Sequence, residues 1–320
     1  MRLVILTVEA PNQAALCHTV EPACELVGVV LSRNIPTRHR ARRLRRLLNR
    51  LEGRLVGRPY VHAWHVVQRR FHELAPRFPE VPTLQVPNVN DAKTVRWLEH
   101  LNPDLVLVSG TTLVGQTIRD WAASRGGIIP PPAARPIGPL RRETVEAEPL
   151  VRAVGGGIIN LHTGLSPYVK GGPDCTNWCL AEGAFHLIGN TVLWLDAGID
   201  SGPILATEQT VLSGQESLVE LHWKVMTHAH DLCMRAVQAV AAGQQVPRIP
   251  QERIAEGRTF SSLDWNGRAM RRAWRNFRRD FSAELVRSRP FQELRTRVKT
   301  FPLIPRPAAG CCKQPMQVQE

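Results

Sequence analysis

The sequence predicts an α/β chain: a doubly wound, mostly parallel sheet followed by an Arg-rich helical C-terminal extension. Three observations carry this. Wholly apolar runs such as Leu3–Val8, Leu26–Leu31 and Leu105–Ser109 recur along the first half; strands covered on both faces read this way. The segments between them read as amphipathic helices, so the sheet lies between two helix layers. After about residue 212 the alternation stops and helix follows helix. The expected organisation is a core over 1–212, interrupted by insertions at about 33–80 and 130–155. A helical extension over 213–320 ends in a disordered tail of about a dozen residues.

In order, Leu3–Val8 is the first strand. Pro11-Asn12-Gln13 opens a helix to about Ala23, with Asn12 a candidate cap. Leu26–Leu31 is the second strand and Leu84–Val86 a weaker third. Asn90 or Asp91 caps a helix to about Leu101, and Pro103-Asp104 leads into the strand Leu105–Ser109. Thr111–Ala123 reads as a helix and Gly157–His162 as the next strand. Strands at about Thr191–Leu195 and Ile204–Leu212 precede a long helix, Glu216–Ala241. Trp265–Leu285 then reads as one Arg-rich helix carrying Trp265, Trp274 and Phe277. No G-x-G-x-x-G follows the first strand, so nothing points to a dinucleotide.

The insertions differ in character. Residues 33–77 hold 13 Arg against two acids, Glu52 and Glu73, a net +11. Their part from Arg38 to Val56 reads as a basic amphipathic helix with Leu44, Leu47, Leu48, Leu51 and Leu55 on one side. Residues 130–155 begin with three Pro and have no periodicity. They lie between Gly126-Gly127-Ile128-Ile129 and its near-copy Gly156-Gly157-Ile158-Ile159, and read as a surface excursion.

The 320 residues carry a formal +13, and only five of the 41 basic residues are Lys. Residues 265–305 hold 11 basic and three acidic residues, net +8. With +11 in 33–77, the remainder is left at −6. The basic character therefore belongs to appendages and says nothing about site chemistry. No apolar run approaches a membrane span, and the start has no signal-peptide pattern, so the expected location is cytoplasmic. The seven Cys form an odd set with no secretory leader, against a disulfide framework. Cys175 and Cys179 share a helix spacing but lack a second pair for zinc, so no metal is expected.

The chemistry concentrates in Asn160-Leu161-His162. Residues two apart on a strand share a face. These lie at the strand's carboxyl end, where open α/β sheets build their sites. Gly164, Pro167, Gly171 and Gly172 make a tight turn beside them. Further on, Asp196-Ala197-Gly198-Ile199-Asp200-Ser201-Gly202-Pro203 is a loop between strands with acids at both ends of its turn.

Asn160-Leu161-His162, then Leu165, Pro167, Lys170 and Gly171, then Ile199-Asp200-Ser201-Gly202-Pro203-Ile204, resembles the folate-dependent formyltransferases. That family includes glycinamide ribonucleotide, methionyl-tRNA and sugar-nucleotide N-formyltransferases. The resemblance covers roughly residues 1–210 without the insertions, and implies the family's variant of the Rossmann fold. Thr163-Gly164 stands where Pro-Ser is usual, Ser166 where Leu is, and Lys170 where Arg is common. By resemblance, Asn160, His162 and Asp200 are catalytic, and 10-formyltetrahydrofolate is the formyl donor. Its pterin would lie between Gly110-Thr111-Thr112-Leu113 and Leu195-Asp196-Ala197-Gly198. Asn12, Lys170, Gly171 and Asn177 would meet the acceptor. His162 would take the proton of the attacking ammonium or stabilise the oxyanion as imidazolium, Asp200 would hold the ring, and Asn160 would donate to the oxyanion.

The acceptor expected is an amine of a small molecule such as an amino sugar nucleotide. Methionyl-tRNA is an alternative, weighed against by the helical residues 213–320 where a β-rich domain would be needed. A nucleic-acid-binding protein on an inactive core is another, drawn from the Arg-rich segments. Hydrolysis of formyltetrahydrofolate would need a regulatory domain before the core, which the sequence does not show.

Overall fold

The computed structural model describes residues 1–33, 56–125, 157–172, 175–244, 246–262 and 264–302. The expected basic helix at 38–56 lies almost wholly outside these residues. The excursion at 130–155 and the tail beyond 302 lie outside them entirely.

In chain order the strands are β1 (Arg2–Val8), β2 (Glu25–Ser32), β3 (Thr83–Val86), β4 (Leu105–Val108), β5 (Gly157–His162), β6 (Val169–Gly171), β7 (Gly189–Trp194), β8 (Ile204–Gln209) and β9 (Arg258–Phe260). The helices are α1 (Pro11–Val20), α2 (Arg58–Leu74), α3 (Ala92–Leu101), α4 (Gln116–Ser124), α5 (Cys175–Glu182), α6 (Leu218–Ala241), α7 (Gly267–Asp280), α8 (Ala283–Arg287) and α9 (Arg289–Arg297). Seven strands form one sheet in the order β3-β2-β1-β4-β5-β7-β8. β1 to β5 run parallel, and β7 and β8 are antiparallel additions at one edge. The mostly parallel, doubly wound sheet is thus present.

The strands alternate between two cores. On one face Leu3, Ile5, Leu107, Ile159 and Trp194 pack under Leu16 and Val20 of α1 and Ala229, Leu232 and Ala236 of α6. On the other, Val4, Leu6, Val106 and Ile158 pack under Leu98 of α3 and Ile118 and Trp121 of α4. Each fully buried side chain of this size contributes about 1.5–3 kcal/mol. The β2–β3 edge is thinner, because β3 exposes Thr83 and Gln85.

Several boundaries differ from expectation for local reasons. α1 is capped by Ala10, so Asn12 is already inside the helix and does not cap it. The helix ends at Val20, and Glu21–Ala23 is a separate 3₁₀ turn. Thr111 does not start a helix: Gly110 is left-handed at φ 68. Asn90 holds the loop that follows, donating to Leu113 O and accepting from Gly115 N, so α4 begins at Gln116. Glu216 is not in α6; it accepts from the N–H groups of Ser213 and Gly214 at 2.8 Å, and Ser217 with Glu220 forms the capping box. The predicted single helix over Trp265–Leu285 breaks at Phe281. That ring stacks on Phe277 and tilts against Phe185, and Ser282 caps the next helix by accepting from Leu285 N.

Residues after 212 contribute to the same interior. Phe260, Met270, Ala273, Phe281 and Phe291 share a core with Trp178, Leu180 and Phe185. β9 pairs with β6, and Ile249 and Phe301 bridge to β8 at Ile204 and Thr207. The second half of the first insertion folds as α2, whose Val67 and Phe71 pack on Ala14, Ala15 and Met226. Among the described residues no helix is long and apolar enough to cross a membrane.

Candidate active site

β5 outruns β4. Their last pair is Val108 with Asn160, after which Gly110 turns the chain away. Asn160 and His162 continue the register of Ile158 and open into the resulting crevice at the strand's carboxyl end. On its other side β5 stays paired with β7 through His162 and Thr191. The loop after β7 then crosses back over the same face. Asp200, near its far end, adopts φ 48, the left-handed region that non-glycine residues rarely enter.

The structure brings the three predicted catalytic residues together. Asn160 Nδ2 donates to Asp200 Oδ1 at 3.1 Å, and His162 Nδ1 lies 3.3 Å from Asp200 Oδ2. Gly171 N–H donates to the same Oδ2 at 3.1 Å. The Asp200 carboxylate is therefore met by a side-chain amide, a ring nitrogen and a backbone N–H, all from β5 and β6.

The far edge of the ring is enclosed. His162 Nε2 is 3.4 Å from Val169 O and 3.6 Å from Cys175 Sγ. Both ring nitrogens thus face acceptors, Nε2 the Val169 carbonyl and Nδ1 the Asp200 carboxylate, and the tautomer sets which of them receives the ring N–H. Gly164 makes this approach possible, since a Cβ there would sit 2.3 Å from His162 Nε2. Burial to 8% exposure leaves the ring little water. Cys175, whose spacing to Cys179 gave no metal site, stands at the start of α5 beside the ring.

The predicted donor-binding segments flank β5 on both sides. Gly110-Thr111-Thr112-Leu113 follows β4, and Leu195-Asp196-Ala197-Gly198 follows β7, with Leu195 N bonded to Ile158 O. Asp196 organises its own loop, accepting from Gly198 N and from Ser201 Oγ. Leu113 on one loop and Ile199 on the other are exposed apolar side chains, at 60% and 48%.

The predicted acceptor residues divide. Gly171 touches Asp200, and Lys170 precedes it on β6, partly exposed. Asn12 and Asn177 make no hydrogen bond to the three central residues. Asn12 Oδ1 accepts from Gln68 and Asn177 Oδ1 from His222, and both are buried.

The segment holding this constellation matches a known family. Residues 146–237 match the model described as Formyl transferase. Over these residues the chain is similar to the formyl transferase family. Among curated relatives, the methionyl-tRNA formyltransferase of Syntrophus aciditrophicus is 31% identical over 173 residues, 54% of this chain and 45% of that protein. The methionyl-tRNA formyltransferase of Clavibacter michiganensis is 30% identical over 126 residues, covering 37% and 39%. The match thus spans less than half the length of either relative. Among solved structures, a Shewanella sugar N-formyltransferase overlays with TM-score 0.48 at 12% identity, covering 85% of this chain and 87% of that one. A Bacillus halodurans phosphoribosylglycinamide formyltransferase overlays at 0.43 with 18% identity, covering 75% and 95%.

Proposed function

We propose that the protein transfers a formyl group from 10-formyltetrahydrofolate to a primary amine of a small-molecule acceptor. The observation that carries this reading is the convergence of Asn160, His162 and Asp200 at the end of β5, within the formyl transferase segment. The folate supplies the formyl carbon. The chain's residues bind, orient and move protons around it.

Asp200 faces His162 Nδ1, so a proton taken by the ring leaves the new charge beside a carboxylate. Asn160 Nδ2 has two hydrogens and gives one to Asp200; the other is available to a developing oxyanion. Such a preorganised donor contributes about 3–4 kcal/mol to the barrier. Enclosure of Nε2 fixes the ring plane, so this geometry needs no rearrangement during the reaction. Leu113 and Ile199 would hold the pterin, and Lys170 and the Gly171 turn would border the acceptor.

The test is a panel of amines offered with 10-formyltetrahydrofolate: nucleotide-linked amino sugars, glycinamide ribonucleotide and methionyl-tRNA. Tetrahydrofolate release with a small amine supports the reading. Asn160→Ala, His162→Ala and Asp200→Ala should each lower the rate roughly 10²–10⁴-fold while keeping the far-UV spectrum. Full turnover by His162→Ala would sink the mechanism.

One observation favours a second reading, a polyanionic acceptor such as methionyl-tRNA. Arg268, Arg271 and Arg275 line one exposed side of α7 and have no partner among the described residues. Formylation confined to methionyl-tRNA in that panel would select it.

A further inference from the structure

Residues 246–262 lie beyond the segment that matches the family model, yet they enter the site. Ile249 exchanges both backbone hydrogen bonds with Ile204, at 2.8 and 3.0 Å, which brings the next turn against the loop that carries Asp200. Gln251 begins that turn and is 3% exposed. Its Nε2 donates to Asp200 O at 2.8 Å and to Gly202 O at 2.7 Å. One amide group thereby ties the two carbonyls on either side of Ser201.

Three features make this contact more than ordinary packing. Asp200 is held at φ 48, a conformation that persists only where the surroundings over-determine it. Gly202 is pressed against the strand before it, since a Cβ there would sit 1.7 Å from Trp194 O, so the loop cannot relax toward β7. The Gln251 Oε1 atom is buried with no hydrogen-bond partner among the described residues, and the two acceptors orient the amide.

The other end of the same residue is held separately. Asn160, Gly171 and His162 meet its carboxylate, while Gln251 meets its carbonyl. We infer that Gln251 is a positioning residue that sets the Asp200 carboxylate against His162, so the C-terminal segment completes the site. It touches no reacting atom and acts through Asp200. The kinetic part of this inference rests on the formyl-transfer reading; the geometric part does not.

The experiment uses the full chain with Gln251→Met, which keeps volume and removes the donor, and Gln251→Glu, which turns the donor into an acceptor. Turnover is measured with 10-formyltetrahydrofolate and the best amine of the panel above. The imidazole ¹⁵N resonances of His162, assigned by their loss in His162→Gln, are recorded at one pH. Phe71→Ala, whose ring packs with Ala14, Ala15 and Met226 in a cluster that holds none of the site residues, serves as the destabilised control. Both Gln251 variants are expected to lower kcat roughly ten- to hundred-fold, with KM for both substrates within about two-fold, and to move the His162 resonances. The control should move neither. Unchanged kcat and unchanged resonances in folded Gln251→Met, with only a lower Tm, would overturn the inference. If the wild-type chain turns over no amine, the functional reading fails, and the resonances alone decide the role of Gln251.

Discussion

Gly164 shows how tightly the site is set at the scale of one residue. In sequence it reads as a turn former between Thr163 and Leu165, but its turn is not what excludes a side chain. A Cβ would meet His162 Nε2 at 2.3 Å, Val169 O at 2.8 Å and Cys175 Cβ at 3.0 Å. Of these only the ring can yield, and yielding takes Nδ1 away from Asp200. Gly164→Ala should therefore lower kcat by about 10²-fold, the cost of misplacing a reacting group by roughly 1 Å. Steady-state kinetics beside a thermal melt checks this: a folded Gly164→Ala protein with normal kcat would show that the ring does not work from this position. The three central residues were legible because their order, spacing and elements form a pattern. Val169 O and the Cys175 thiol were not, because a backbone carbonyl has no side-chain signature and a helix-start cysteine reads like any small core residue.

Helix α6 concentrates the chain's buried ionisable groups, and their titration belongs to that element. His222 and His230 are both pushed down to about 4 by burial. His222 donates to Asn177, while His230 lies against Phe71 with no partner for Nε2 among the described residues. The unfolded chain binds these protons near pH 6.5 and the folded chain only near 4, so stability is complete above 6.5 and falls between 6.5 and 4. Urea unfolding at pH 7 and pH 4.5 should show this loss, and His230→Phe should reduce it. An equal loss in that variant would remove His230 as a cause. Glu208 acts lower. Burial alone would raise it, but hydrogen bonds from His228 and Arg235 hold it at about 2. Its contribution is present above pH 4.5 and disappears as pH falls toward 2. Glu208→Gln should cost about 1–3 kcal/mol at pH 7, because Arg235 then keeps only Asp231 as a charged partner, and should flatten the acid limb below 4.5. Sequence periodicity found α6 as a helix, yet none of this network, since Glu208 and Arg235 meet only once β8 and α6 are packed.

The relation of the C-terminal segment to the core is a property of the whole molecule. Composition suggested a boundary near 212, because the alternation of strand and helix ends there. Composition does not register which surfaces the later helices cover. Phe260 of β9 stacks on Trp178 of α5 at 4.5 Å, and Trp265 meets the same indole edge-on. α5 starts at Cys175, beside His162. The core of the C-terminal segment and the wall of the site are thus one set of contacts. We expect the two to unfold together. Phe260→Ala should remove about 3–5 kcal/mol and lower the Tm by roughly 5–15 °C, in one calorimetric transition that coincides with loss of the near-UV signal. A separate C-terminal unit would behave otherwise, showing two transitions of which Phe260→Ala moves only one. The single transition would also place the basic helices α7 to α9, which lie outside residues 146–237, in one cooperative unit with the site. Any ligand that binds Arg268, Arg271 and Arg275 would then stabilise the same cooperative unit that holds Asp200 against His162.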